Sequence, residues 1–170
     1  MKRAILLRHA SAADAREDAA RELTKQGREQ ACAAGSRIAA LGALWQPSRA
    51  LCSSALRASA TLEAARASLC TLAEIDLDAG LYLASAGQLL AALQRVPDAD
   101  ACVLVVAHEP GISDLVRQLT SGGSAGRSEA HARKQLARGM TPGSFAALAL
   151  RVSRWGEVRA GCGELAALER

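Results

Sequence analysis

Arg8 and His9 stand where a short apolar run, Ala4 to Leu7, stops and the small residues Ala10 and Ser11 follow. An arginine offers two parallel N–H donors to an anionic phosphoryl group, and a neutral imidazole can attack phosphorus. The pair reads as phosphate chemistry, against the plainer reading of a strand-end histidine beside a solvated charge. Two more residues of the same kind follow at long intervals. Arg57 comes after the short stretch Arg49-Ala50-Leu51-Cys52 and the pair Ser53-Ser54. His108 ends the run Cys102-Val103-Leu104-Val105-Val106-Ala107. Singly, each has a bland reading as a helix-surface charge or a turn histidine. Their recurrence just after strand-like runs makes them a set.

The elements that must position them follow from apolar spacing. Ala4 to Leu7 predicts a buried strand opening into a loop, and Thr24 predicts the N-cap of a helix with Ala31, Ala34, Ile38 and Leu41 on one face. Gly42 is that helix's stop signal. Arg49 to Cys52 predicts a second strand, and Ser53-Ser54 a turn capping a helix that buries Ala58, Leu62, Ala65 and Leu69. Arg57 then lies in the first turn of that helix, near its free N–H groups. Leu72 to Leu77 predicts an edge strand, and Ser85 with Gln88 a capping box for a helix bearing Leu89, Leu90 and Leu93. The β-branched run from Cys102 to Ala107 predicts a central strand covered on both faces. Pro110 suits the first turn of a helix aligning Ile112, Leu115, Val116 and Leu119. Ser144 to Val152 and Glu157 to Arg159 predict an antiparallel pair turning at Trp155-Gly156.

Strands alternating with helices imply an α/β domain: a three-layer sandwich with a mostly parallel central sheet flanked by helices, one domain over residues 1–170. In such a sheet the ends carrying Arg8, His9, Arg57 and His108 share one edge, where ligands bind.

Composition sets bounds on function. Half of the 170 residues are apolar, but the aromatics are only two Trp, one Tyr and one Phe, so the core is built from small aliphatic layers. The net charge of +4 comes without lysine-rich runs or basic–aromatic interleaving, which speaks against nucleic acid. Cys32, Cys52, Cys70, Cys102 and Cys162 are odd in number and scattered, as expected of core thiols in a reducing compartment. The apolar stretch behind Lys2 and Arg3 is too short for a signal core, and no run reaches the roughly 20 apolar residues of a membrane span. The expectation is a cytoplasmic protein, a monomer or weak dimer, with no membrane partner. Residues 121–139 carry Arg127, Arg133, Lys134 and Arg138 against Glu129 and are expected to form a mobile surface loop.

The motifs together resemble the histidine phosphatase superfamily, with its phosphoglycerate mutase-like fold, and within it the small phosphohistidine phosphatases. The resemblance rests on Leu7-Arg8-His9-Ala10, on Arg21-x-Leu23-Thr24-x-x-Gly27, on Ser53-Ser54-x-x-Arg57-Ala58-x-x-Thr61 and on Val106-Ala107-His108-Glu109-Pro110. It implies that His9 is the nucleophile that becomes phosphorylated, and that Arg8, Arg57 and His108 bind the phosphoryl group, with Arg21 as a further pocket residue. Ala10 stands where much of the family has glycine, Ser54 where many relatives have proline, and Ala60 where many have glutamine. The implied substrate is phosphohistidine on a protein. The alternatives are a small phosphate ester, turned over by a phosphomonoesterase or mutase of the same superfamily, and a non-catalytic phosphate-binding module.

The general acid is the open position. Relatives that cleave phosphate esters use a carboxylate between the second strand and the later histidine. Glu74, Asp76 and Asp78 lie there, Glu109 adjoins His108, and Asp78 is carried forward as the candidate. No cofactor is implied. A metalloenzyme is the competing class, but His108-Glu109 is followed by Ile112 where His-Glu-x-x-His needs histidine, and His131 falls in the basic loop, so no metal site is expected.

Overall fold

A computed structural model describes residues 1–122 and 136–169. Strands β1 (Lys2–Arg8), β2 (Arg49–Ser53), β3 (Glu74–Asp78), β4 (Cys102–Ala107), β5 (Phe145–Leu150) and β6 (Gly163–Glu169) form one six-stranded sheet in the order β3-β2-β4-β1-β5-β6. The pairs β1–β4, β2–β4 and β2–β3 are parallel, and β5 runs against both β1 and β6. Helices α1 (Lys25–Ala40) and α2 (Leu56–Arg66) cover one face, and α3 (Ala86–Gln94) and α4 (Gly111–Leu119) the other. This is the expected three-layer α/β sandwich.

Strand alternation explains the continuous apolar runs. Ile5, Leu7, Ala50, Cys52, Leu104 and Val106 pack towards Ala34, Ile38, Ala58 and Leu62. Their neighbours Ala4, Leu6, Leu51, Val103 and Val105 pack towards Leu89, Leu93, Ile112 and Leu115. Both faces are covered, so alternation of polar and apolar residues disappears. Small residues bring the layers close. A Cβ at Gly35 of α1 would collide with the backbone of Ala65 in α2.

The caps at Thr24 and Ser85 form as expected: Thr24 accepts from the Gly27 N–H at 2.9 Å, and Ser85 with Gln88 completes a capping box. Three expectations change. The N-cap of α2 is Ala55, which offers no side-chain cap; Ser53 Oγ lies at the turn before it, accepting from the Ala55 N–H at 3.3 Å and meeting His108 Nε2 at 2.8 Å. Pro110 is the N-cap of α4 rather than a residue of its first turn. The partner of β5 is β6 rather than Glu157 to Arg159. Trp155 starts a 3-10 turn at Trp155–Glu157 and is fully buried, its ring N–H donating to the Asp100 carbonyl at 2.7 Å. Burying that indole claims the segment expected to be a hairpin turn. Most of the expected basic loop, with His131, lies outside the described residues.

Candidate active site

β1, β2 and β4 are adjacent and parallel, so their carboxyl ends open on one edge of the sheet. A cavity of about 480 Å³ lies there, and Arg8, His9, Arg21, Arg57 and His108 all line it. The fold thus brings together five of the six residues singled out in the sequence. Asp78 is not among the lining residues; it ends β3, where its carboxylate accepts from the Gly80 N–H at 2.7 Å and caps a 3-10 turn, Ala79–Leu81.

His9 is held in one orientation. Its backbone N–H continues the β1–β4 ladder by donating to the Ala107 carbonyl at 3.1 Å. Ring Nδ1 lies 2.8 Å from the Ala10 carbonyl, an acceptor, so Nδ1 carries the proton. Nε2 then presents a lone pair, which accepts from Arg57 Nε at 3.2 Å. Burial, with the charges of Arg57, Arg8 and Arg21, pushes the imidazole down to about 4. The group is neutral at pH 7, the form a nucleophile needs.

The loop after His9 is tied to both helices of that face. The Ala10 N–H donates to Thr61 Oγ1 at 2.9 Å, and Thr61 in turn donates to the Arg57 carbonyl at 2.6 Å. The Ser11 N–H donates to Gln30 Oε1 at 3.0 Å, and the Ser11 carbonyl accepts from the Thr24 N–H at 3.0 Å. A Cβ at Gly27 would collide with that carbonyl, so the loop can lie on α1 only where position 27 has no side chain.

Arg57 is 2% exposed and is the hub of the site. Besides His9, its Nη2 lies 3.3 Å from His108 Nδ1 and donates to Asp18 Oδ2 at 2.9 Å, while Nη1 donates to the Asp18 carbonyl at 2.6 Å. Arginine only donates, so His108 Nδ1 is the acceptor and Nε2–H donates to Ser53 Oγ at 2.8 Å. Burial, with the neighbouring His9 and Arg57, pushes His108 down to about 3. His108 therefore shows Arg57 a lone pair; it can donate to a phosphoryl oxygen from Nδ1 only as an imidazolium. Arg8 Nη1 donates to the Met140 carbonyl, and its buried Nε meets no acceptor among the described residues. Arg21 reaches the Ala13 carbonyl at 2.9 Å and Asp18 Oδ1 at 3.3 Å, and so braces the pocket's rim.

Two wall residues carry no signal strong enough to single them out by spacing. Asp18 begins a 3-10 turn, Asp18–Ala20, inside a charged, alanine-rich stretch. Tyr82 donates to Asp18 Oδ2 at 2.6 Å and lays its ring against Arg57, 5.7 Å from the centroid to the guanidinium carbon. Its one usable signal is that it is the chain's single tyrosine. Leu83 follows on the pocket lip with φ 49°, left-handed and 55% exposed.

The two wall carboxylates, Asp18 and Glu109, are both engaged as acceptors. The hydrogen bond from Tyr82, then those from Arg57 and Arg21, hold the Asp18 carboxyl down at about 2 against partial desolvation. Glu109 Oε1 accepts from Ser113 Oγ at 2.5 Å and the Met140 N–H at 2.7 Å. Among the described residues no group of three or more metal-ligating side chains is assembled.

No family model and no curated protein sequence matches the chain. Solved structures do. A protein assigned as the phosphohistidine phosphatase SixA of Nakamurella multipartitia superposes with a TM-score of 0.82 at 27% identity, over 99% of this chain and 95% of that one. The protein histidine phosphatase SixA in complex with tungstate gives 0.76 at 24% identity, over 98% and 96%. A mycobacterial glucosyl-3-phosphoglycerate phosphatase gives 0.65 at 18% identity, over 99% and 98%. The likeness spans nearly the whole chain, which has the phosphoglycerate mutase-like fold of the histidine phosphatase superfamily.

Proposed function

We propose that the protein is a phosphoric hydrolase that works through a phosphohistidine formed on His9, and that its substrate is phosphohistidine carried on another protein. The observation that carries this reading is the neutral Nε2 of His9, aimed at the guanidinium of Arg57 beside His108. Nε2 attacks phosphorus, the bond from phosphorus to the leaving nitrogen breaks, and the Nδ1–H donated to the Ala10 carbonyl fixes the tautomer throughout. Arg57, Arg8 through its unpartnered Nε, and His108 receive the phosphoryl oxygens, over which the transition state spreads its charge. The incoming dianion supplies the counter-charge that lets His108 take up a proton. Water then attacks the phosphohistidine, releasing phosphate and restoring neutral His9.

The leaving group selects the substrate. An alkoxide needs a placed acid, whereas an imidazole leaves readily once its own ring is protonated. Both carboxylates of the pocket wall are occupied by donors, which favours the P–N bond over a phosphate ester. A partner protein presenting the phosphorylated ring at the open sheet edge, without nucleic acid or membrane, suits this pocket. Among the described residues no helix is long and apolar enough to cross a membrane, and the five unpaired thiols fit a reducing, cytoplasmic setting.

The test compares kcat/KM for a phosphorylated histidine domain with that for the best phosphate monoester. The protein substrate is expected to win. A monoester preferred by about tenfold, some 1.4 kcal/mol in transition-state binding, would overturn the proposal.

A further inference from the structure

A guanidinium has two edges on which two N–H bonds point the same way. In Arg57 the edge formed by Nε and Nη2 faces His9 Nε2 at 3.2 Å and His108 Nδ1 at 3.3 Å. The other edge, Nη1 and Nη2, is taken by a single residue: the Asp18 carbonyl at 2.6 Å and Asp18 Oδ2 at 2.9 Å. Asp18 is itself anchored, by Tyr82 Oη at 2.6 Å on the same carboxylate oxygen and by Arg21 Nη1 at 3.3 Å on the other. Tyr82 also closes the face of the guanidinium with its ring.

We propose that Asp18 is the positioning residue of the reaction: by clamping the outer edge of Arg57 it turns the Nε–Nη2 edge towards the space between His9 and His108, where the phosphoryl group is transferred. This rests on the reading of His9 as nucleophile. The free arginine side chain has four rotatable bonds, and a fork that wanders by even 1 Å loses its bidentate geometry. Clamping one edge leaves the other preorganised, so no reorientation is needed as negative charge develops on the phosphoryl oxygens. Asp18 does not touch the reacting atoms in this arrangement. Its effect belongs to the transition state more than to ground-state binding.

The experiment uses Asp18→Ala, Asp18→Asn and Tyr82→Phe in the full chain. It measures kcat and KM on a phosphorylated histidine domain and, separately, the affinity for orthovanadate, a mimic of the pentacoordinate transition state. Asp18→Ala should lower kcat by about 100-fold with little change in KM, and weaken vanadate binding in proportion. The backbone carbonyl remains in both variants, but Asp18→Asn also keeps an acceptor oxygen for Nη2, and should recover to within about tenfold of the parent. Tyr82→Phe should fall between the parent and Asp18→Ala. Unchanged melting temperatures identify these as effects on the site. Wild-type kcat in Asp18→Ala, or tighter vanadate binding, would overturn the proposal, the latter because it would make Asp18 a competitor for the phosphoryl position. An Asp18→Asn as impaired as Asp18→Ala would also overturn it, since charge and not the clamp would then matter. A parent protein without turnover would count against the phosphatase reading, and the vanadate series would still decide the clamp.

Discussion

The two ends of the sheet treat buried charge in opposite ways. At the amino ends of β1, β2 and β4, the buried charged groups are tied to one another and to the backbone. Arg49 bridges Asp100 at 2.8 Å and Asp76 at 2.6 Å, Ser48 donates to Asp100 at 2.5 Å, and Lys2 Nζ donates to the Asp98 and Asp100 carbonyls at 2.5 and 3.2 Å. Burial pushes the Asp100 carboxyl up, but the hydrogen bonds from Ser48 and Arg49 outweigh it and hold it below its usual range. At the carboxyl ends, three arginines and two histidines share the pocket with two carboxylates, and both imidazoles are pushed well below their ordinary range. One end satisfies its charges internally and holds the sheet together. The other gathers arginines and two neutral imidazoles around one cavity, where the buried Arg8 Nε meets no acceptor among the described residues.

The comparison can be broken most sharply at His9. His9→Ala should abolish turnover and leave the fold, since the ring lies beyond the last residue of β1. Rapid-quench labelling with peptide mapping should find the phosphoryl group on His9 in the parent, and a label elsewhere would remove His9 from its role. Next comes Arg57→Lys. A point ammonium cannot serve His9, His108 and Asp18 together, and the expected loss in kcat/KM is about 2–5 kcal/mol, as for other buried hydrogen-bonded charge pairs. Steady-state kinetics within a factor of two of the parent would show that the fork is not needed.

The amino end should answer in stability instead. Asp100→Ala strands Arg49 and Ser48 and should cost roughly 3 kcal/mol in denaturant unfolding, with kcat unchanged. A loss of activity at full stability would reverse the assignment of the two ends.

Acid should separate them by pH. His9 and His108 bind protons more weakly folded, at about 4 and about 3, than at the ordinary 6.5. The unfolded chain therefore binds more protons, and stability falls as pH drops below about 6.5 towards the folded values. Asp100, held below its usual range, contributes stability above that range and loses it only as pH falls further through its folded value. His9→Ala should flatten the loss between about pH 6.5 and 4 measured by unfolding titrations, while Asp100→Ala should leave that window unchanged. The smallest effect is expected at Asp78. Replacing it with Ala removes the acceptor for Gly80 and should cost about 1 kcal/mol of local stability, with kcat/KM for phosphohistidine essentially unchanged. A large kinetic loss would return Asp78 to candidacy as an acid.

Much of this was legible along the chain. The run from Cys102 to Ala107 and the caps at Thr24 and Ser85 follow from local propensity and periodicity, which act over a few residues, and the edge position of β3 follows from the fold class. The C-terminal hairpin was not, because Trp155 is drawn into the core by contacts far along the chain, including the Asp98 and Asp100 segment. Residue types alone determined the candidate set of Arg8, His9, Arg57 and His108 at strand ends, since a parallel sheet must gather those ends on one edge. Only the tertiary structure decided what surrounds them. Asp18 and Tyr82 are 64 residues apart and meet on Arg57, and the proton positions on both imidazoles depend on which atoms of Ala10, Ser53 and Arg57 face them. Such contacts are set by packing between elements, and the spacing of residues along a single element carries no record of them.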